Sequence, residues 1–259
     1  MTYRAWNLKP LDRAALRELT QAIAEQATEE LEYNAQNDEP WSEQKYAAAL
    51  AAQQKENALL AGVLTARGIT DPTEALTLLA GEEELSDPSL LTDMDKACER
   101  IWRAIDEGET IVVFGDYDVD GVTATALLYQ HLKGMGATVK CMLPSREGDG
   151  YGLSRNAIRS IHDKGCKLIV TVDNGISAVE EIKRAKEAGI EVVVTDHHAL
   201  PQQLPPADAL VNSAFEENSS PCRYLCGAAM AFKLIAALEQ QMQGEDPQDL
   251  LLEQYGDCL

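Results

Sequence analysis

Ile111-Val112-Val113-Phe114-Gly115-Asp116-Tyr117-Asp118-Val119-Asp120-Gly121 decides the fold. Four consecutive apolar residues read as a short strand buried on both faces, as in a parallel sheet. A glycine and three alternate aspartates follow at once. Three like charges that close repel one another, and a fold keeps them together when cations occupy the site. A plain turn needs one Asp, not three. A calcium EF-hand loop also begins D-x-D-x-D-G, but its twelfth residue should be Glu and here is Leu127, and a helix rather than a strand should precede it. A haloacid-dehalogenase phosphatase also places D-x-D after a strand, yet has no use for the Asp-His-His found further along.

Downstream, the same alternation repeats. Helices are predicted over Thr123–Leu132, Asn156–Asp163, Ala178–Ala188 and Leu225–Gln241, and strands over Val139–Leu143, Leu168–Val172, Glu191–Thr195 and Ala209–Val211. The expected class is α/β, a parallel sheet with helices on both faces. Upstream, the pattern is helical. Leu11–Leu31 and Trp41–Leu64 carry apolar residues at three and four, separated by Asn34–Pro40. Asp71-Pro72 with Glu74 opens a further helix, and Glu82-Glu83-Glu84 reads as a solvated loop. Thr92 is expected to cap a helix from Asp93 to Glu107, ended by Gly108. The division predicted is a helical N-terminal region, 1–108, and an α/β domain, 109–259.

In an open parallel sheet, ligands bind outside the carboxyl ends of the strands. Asp116, Asp118 and Asp120 follow the first strand, Asp173 ends the third, and Asp196-His197-His198 ends the fourth. Three remote segments thus deliver carboxylates and imidazoles to one rim. Mixed carboxylate and imidazole ligands favour a manganese-like ion, with magnesium the carboxylate-and-water alternative.

The net charge of −21 opposes nucleic acid binding at first sight. Its distribution changes the argument. Residues 1–100 carry net −10, residues 101–200 net −4 and residues 201–259 net −7. Two divalent cations among the acids of the middle segment bring it to about neutral, and the ions then carry the local field. The six cysteines have no CxxC spacing and no neighbouring His cluster, so reduced thiols in a reducing compartment are expected. No apolar run reaches the roughly 18 residues a membrane span needs, and Met1–Pro10 holds no signal-peptide stretch. A cytoplasmic protein with no membrane partner is expected.

Three stretches resemble the motifs of the DHH phosphoesterases in their RecJ-type form. They are Val113–Gly121, Thr171-Val172-Asp173-Asn174-Gly175-Ile176-Ser177-Ala178, and Val194-Thr195-Asp196-His197-His198. Arg146 with Gly150-Tyr151-Gly152-Leu153, Arg67–Pro72, Leu91–Ala97 and Gly227–Leu234 are similar to the same branch. The similarity runs from about residue 60 onward, while the first 55 residues match only loosely. The resemblance implies a two-metal phosphodiesterase, the core of a 5′–3′ single-stranded DNA exonuclease of repair and recombination. It implies single-stranded DNA as substrate, and a single-strand-binding protein and a recombination helicase as partners. Carried over residue by residue, Asp118 would bind a first Mn2+, Asp120 and His197 a second, and Asp173 would bridge the two. Asp116 would add or orient a ligand. His198 would face the scissile phosphate and Asp196 would hold the His pair. Arg146 and Arg155 would contact phosphates and Tyr151 would stack on a base.

Two departures from the pattern bear on this. Small-substrate DHH enzymes carry His where this chain has Phe114, four residues ahead of Asp118, which favours the RecJ-type branch. The chain also stops at Leu259, where a fourth-motif Asp and a second domain should follow. It is therefore expected to be a fragment, incomplete at its C-terminus, inactive alone or nearly so, and with Leu250-Leu251-Leu252 left as an exposed apolar patch. Two other functions stay open at this stage. One is a non-catalytic scaffold of the same family. The other is an enzyme acting on cyclic dinucleotides or short oligonucleotides.

Overall fold

The structure is a computed structural model, and it describes residues 11–37, 41–80, 85–144, 152–215, 218, 222, 225–244 and 247–256. The chain forms two compact units, Met1–Glu84 and Leu85–Leu259.

The first unit holds α1 (Arg13–Asn37), α2 (Glu43–Ala66) and α3 (Pro72–Ala80). Side-chain caps start them: Asp12 Oδ1 accepts from Ala14 N, Ser42 Oγ from Lys45 N, and Asp71 Oδ1 from Glu74 N. Their shared core is small, with Leu19, Ile23, Ala61, Leu64 and Ala75 at its centre. Helix α1 runs through Asn34 to Asn37, into the stretch predicted as a separator. Asn costs a helix only a few tenths of a kcal/mol (roughly 0.5), so it does not end one unaided. Glu82-Glu83-Glu84 lies outside the described residues.

The second unit is built on five parallel strands, β1 (Thr110–Phe114), β2 (Thr138–Met142), β3 (Leu168–Val172), β4 (Glu191–Asp196) and β5 (Ala209–Asn212), in the order β2-β1-β3-β4-β5. Among the described residues, six α-helices accompany them: α4 (Met94–Asp106), α5 (Val119–Gly134), α6 (Arg155–Asp163), α7 (Val179–Glu187), α8 (Gly227–Gln243) and α9 (Gln248–Tyr255). Alternate strand residues serve opposite faces. Ile111, Val113, Leu168, Val170 and Val193 pack with α4, α5, α8 and α9. Val112, Phe114, Ile169, Val192 and Val194 pack with α6 and α7. Burial on both faces is why these strands read as unbroken apolar runs. The α/β class with helices on both faces is the observed one. Strand β2 lies at the sheet edge, and its residues are all exposed or half-buried. Among the described residues, no helix is long and apolar enough to cross a membrane.

Several element ends differ from expectation. Helix α5 starts at Val119, four residues before the predicted Thr123, because Asp118 Oδ1 accepts from Gly121 N and caps it. The cap of α4 is Asp93, in the left-handed region at φ 60, and not Thr92, whose N–H and hydroxyl both donate to Asn218 Oδ1. Helix α4 belongs to the compact unit of the sheet, which begins at Leu85, whereas the sequence division was drawn at 108/109. Helix α9 was not predicted at all. It corrects the reading of Leu250–Leu252 as one exposed patch: Leu251 is 3% exposed in the core, while Leu250 is 60% exposed. Lys233, buried on α8, helps to dock α9 by donating to Gln248 Oε1 at 2.5 Å, and it also donates to the Ser86 carbonyl.

Helix α9 is thus part of the fold and not a loose end. Leu251→Ala is expected to cost about 2–5 kcal/mol, as cavity-forming core changes do. Leu250→Ala should stay within about 0.5 kcal/mol of the parent. Urea unfolding of the two variants checks this.

Candidate metal centre

The strand order reverses direction at β1. The chain leaves β1 through α5 to β2 on one side and later returns through β3 on the other. The carboxyl ends of β1 and β3 therefore flank a crevice, the general ligand position in such sheets. Asp116 follows β1, Asp173 follows β3, and Asp196 closes β4 next door. The turn after β1 is tight because Gly121 lacks a side chain: a Cβ there would lie 2.6 Å from the Asp116 backbone nitrogen. Asp173 sits in the left-handed region at φ 60 and is 2% exposed. Asp and Asn are among the few non-glycine residues that adopt it. The next residue, Asn174, donates its amide to Val172 O and Phe114 O, tying the ends of β3 and β1 together.

Two groups of potential ligand atoms converge here, each within 4.8 Å: Asp116, Asp118 and Asp173, and Asp173, His197 and His198. Asp173 is common to both. His197 Nε2 stands 2.9 Å from Asp173 Oδ1 and 3.5 Å from Asp120 Oδ2. Asp120 is held from elsewhere, accepting from Gly227 N and Ala228 N at 2.7 Å each. Asp196 does not join either group. It is 1% exposed and works as an acceptor: Oδ1 receives His197 N, His198 N and His198 Nδ1, and Oδ2 receives Ile176 N.

The electrostatics show what this arrangement lacks. Burial, then the charges of Asp120 and Asp118, push the Asp173 carboxyl up to about 7. Burial opposes the charged form of His198, but the Asp196 hydrogen bond and the surrounding carboxylates outweigh it and raise its pKa. A carboxylate cluster that cannot all ionise, beside imidazoles, is a donor set suited to divalent cations. The residues present therefore fit a metal.

The crevice opens into a cleft of about 460 Å3 whose walls include Asp116, Asp173, Asn174, Arg155, Ser177 and His198. Arg155 is the first residue of α6 and is exposed. Arg146 and Tyr151 lie outside the described residues. Sequence reasoning missed three contributors: Asn174, the Ile176 N–H and the start of α8. Asn174 was within a quoted motif but had no role assigned. Gly227-Ala228 opened the quoted stretch Gly227–Leu234, inside a helix predicted from Leu225, but had no role in the site assigned.

Residues 110–259, more than half of the chain, match the DHH family, N-terminal domain. The chain is 40% identical over 194 residues to the single-stranded-DNA-specific exonuclease RecJ of Bacillus subtilis (strain 168), covering 74% of this chain and 24% of that protein. It is 41% identical over 149 residues to the protein of the same name from Escherichia coli (strain K12), covering 57% and 26%. The chain thus spans about a quarter of the length of these curated relatives. A crystal structure of exonuclease RecJ bound to manganese superposes with a TM-score of 0.58 at 34% identity, covering 65% of this chain and 41% of the other. RecJ from Thermus thermophilus in complex with Mn2+ gives 0.57 at 30% identity, covering 78% and 27%. With its motifs on the crevice rim and a family match across the whole sheet, this chain belongs to the DHH family.

Proposed function

We propose that the chain is the metal-binding core of a RecJ-like 5′–3′ exonuclease that hydrolyses single-stranded DNA with two divalent cations, Mn2+ or alternatively Mg2+. One observation carries the reading: two ligand groups share a single buried carboxylate, Asp173. A carboxylate shared between two donor sets would suit a pair of divalent ions. In this reading Asp118 and Asp116 serve the first ion, Asp120 and His197 the second, and Asp173 both. When bound, such a pair lowers the pKa of an intervening water and neutralises charge on a phosphodiester.

The remaining roles belong to the chain's own groups. Asp196 fixes the orientation of His198 through Nδ1 at 2.7 Å, which leaves Nε2 to face the cleft. The Asp196 hydrogen bond and the surrounding carboxylates raise the His198 pKa from its ordinary value, and an imidazolium on this wall would donate to a phosphate oxygen as charge builds. Arg155 on the cleft wall supplies a phosphate contact, and Arg146 and Tyr151 are assigned by resemblance to phosphate and base. The same reading places the protein in DNA repair and recombination in the cytoplasm, with a single-strand-binding protein and a recombination helicase as partners. It rests on the similarity to the RecJ exonucleases, which this chain covers only in part.

The test is Mn2+-supported release of nucleotides from 5′-phosphorylated single-stranded DNA, run beside a dinucleotide, with the protein in excess over the substrate so that the slow turnover expected of the chain alone is still read. Preference for the long strand is the expected result, and turnover of the dinucleotide alone would refute the substrate assignment. Asp173→Asn should lower the rate at least about 100-fold, since both ions lose a ligand at once.

A pH dependence follows from the same group. Asp173 is raised to about 7 in the folded chain, above its ordinary value. The metal-free fold therefore holds a proton that the unfolded chain has released, and its stability falls as pH rises from about 4 to about 7. The raised His198 acts in the same direction. Metal affinity runs the opposite way, rising up to about pH 7 as the competing proton leaves. Thermal melts and Mn2+ titrations between pH 5 and 8 should show the two opposed slopes, and Asp173→Asn should flatten the first.

A further inference from the structure

Asp120 lies in the first turn of α5 and Asp173 follows β3, yet a third element touches both. Helix α8 begins at Gly227, and its first two N–H groups donate to Asp120: Gly227 N to Oδ2 and Ala228 N to Oδ1, both at 2.7 Å. These are short, charge-assisted bonds to the positive end of a 17-residue helix. Pinning both oxygens fixes the plane of the carboxylate. The same Oδ2 lies 3.5 Å from His197 Nε2, which is itself 2.9 Å from Asp173 Oδ1. On its other side Gly227 faces Asp173 directly. A Cβ at Gly227 would lie 2.5 Å from Asp173 Cβ and 2.6 Å from both Cγ and Oδ1. Asp173 is 2% exposed and its backbone is already in the left-handed region, so it has little room to retreat.

We infer that Gly227 is a positioning residue for the metal centre: its bare Cα lets the start of α8 clasp Asp120 while pressing against Asp173. The helix start sets the spacing between the two carboxylates. Any side chain at 227 must displace Asp173, or α8 together with Asp120. The inference rests on the metal-centre reading given above and deepens it, because it assigns a role to a residue that carries no ligand atom of its own.

The experiment is a Mn2+ titration of the full chain, following the six-line electron paramagnetic resonance signal of the free ion, with a thermal melt of each sample. Gly227→Ala is expected to melt cooperatively and to bind Mn2+ at least tenfold more weakly. Gly134→Ala makes the same change at the end of α5, where a Cβ meets nothing within 4 Å, and should bind as the parent does. A purely structural role for Gly227 would lower the melting temperature but leave the affinity of the folded protein unchanged, and that result would overturn the inference. Should Gly227→Ala fail to fold, Ala228→Pro decides. It deletes the donor to Asp120 Oδ1 at a first-turn position whose N–H has no helical acceptor. Parental Mn2+ affinity in a folded Ala228→Pro protein would overturn the clasp, and a tenfold loss would support it. A parent chain that takes up no Mn2+ at all would overturn the metal-centre reading itself, and this inference with it.

Discussion

A carboxylate that is 2% exposed, with Asp116, Asp118 and Asp120 nearby, is an unfavourable thing to build. Asp173 is held there by means that do not depend on its charge. Its N–H donates to Thr195 O, extending the β3–β4 ladder past the end of the strand. Asn174 links the strand ends on the other side. The folded chain relieves the repulsion by holding a proton on Asp173 up to about pH 7, and a cation relieves it by taking that proton's place. The surrounding architecture keeps the carboxyl in position in either state: two buried faces of sheet, helix starts aimed at the rim, and loops tight enough to deny Asp173 an exit.

Asp196 solves a related problem differently. It is as buried as Asp173, but four N–H groups surround its two oxygens. Donors around a buried carboxylate replace the water it has lost. Two aspartates at the ends of adjacent strands therefore have opposite characters. One has the His197 imidazole at 2.9 Å with carboxylates around it and suits a cation, and the other is saturated with donors and serves as a hinge pin for His197 and His198. Residue type alone does not distinguish them; the hydrogen-bond inventory does.

This explains how much of the molecule was legible in the sequence. The strands announced themselves because burial on both faces requires apolar runs such as Ile111–Phe114. The acids and imidazoles announced themselves because nothing but function gathers Asp116, Asp118 and Asp120 after one strand. Helix starts were less legible. Asp118 works as both rim acid and N-cap, so the sequence hid the first turn of α5. Helix α9 was hidden by its length, since eight residues with few apolar positions give little periodicity. The role of the α8 start was hidden for another reason: its backbone N–H groups have no residue-type signature, and a glycine shows that a Cβ is missing without showing what the bare Cα faces.

The clasp between Asp120 and Gly227 also has a history within each molecule. The two residues are 107 positions apart. At a synthesis rate of about 5–20 residues per second, the acid loop is made roughly 5–20 s before the helix that holds it. During that interval β1 and β2 can pair, but Asp120 has no fixed orientation. Contacts of such sequence separation form late, because the loop must close before they are rewarded. The centre therefore matures last, once β3, β4 and β5 have joined the sheet and α8 has docked. A nascent chain carries its acids long before it can use them, and a cation that meets the chain early finds only a flexible run of aspartates.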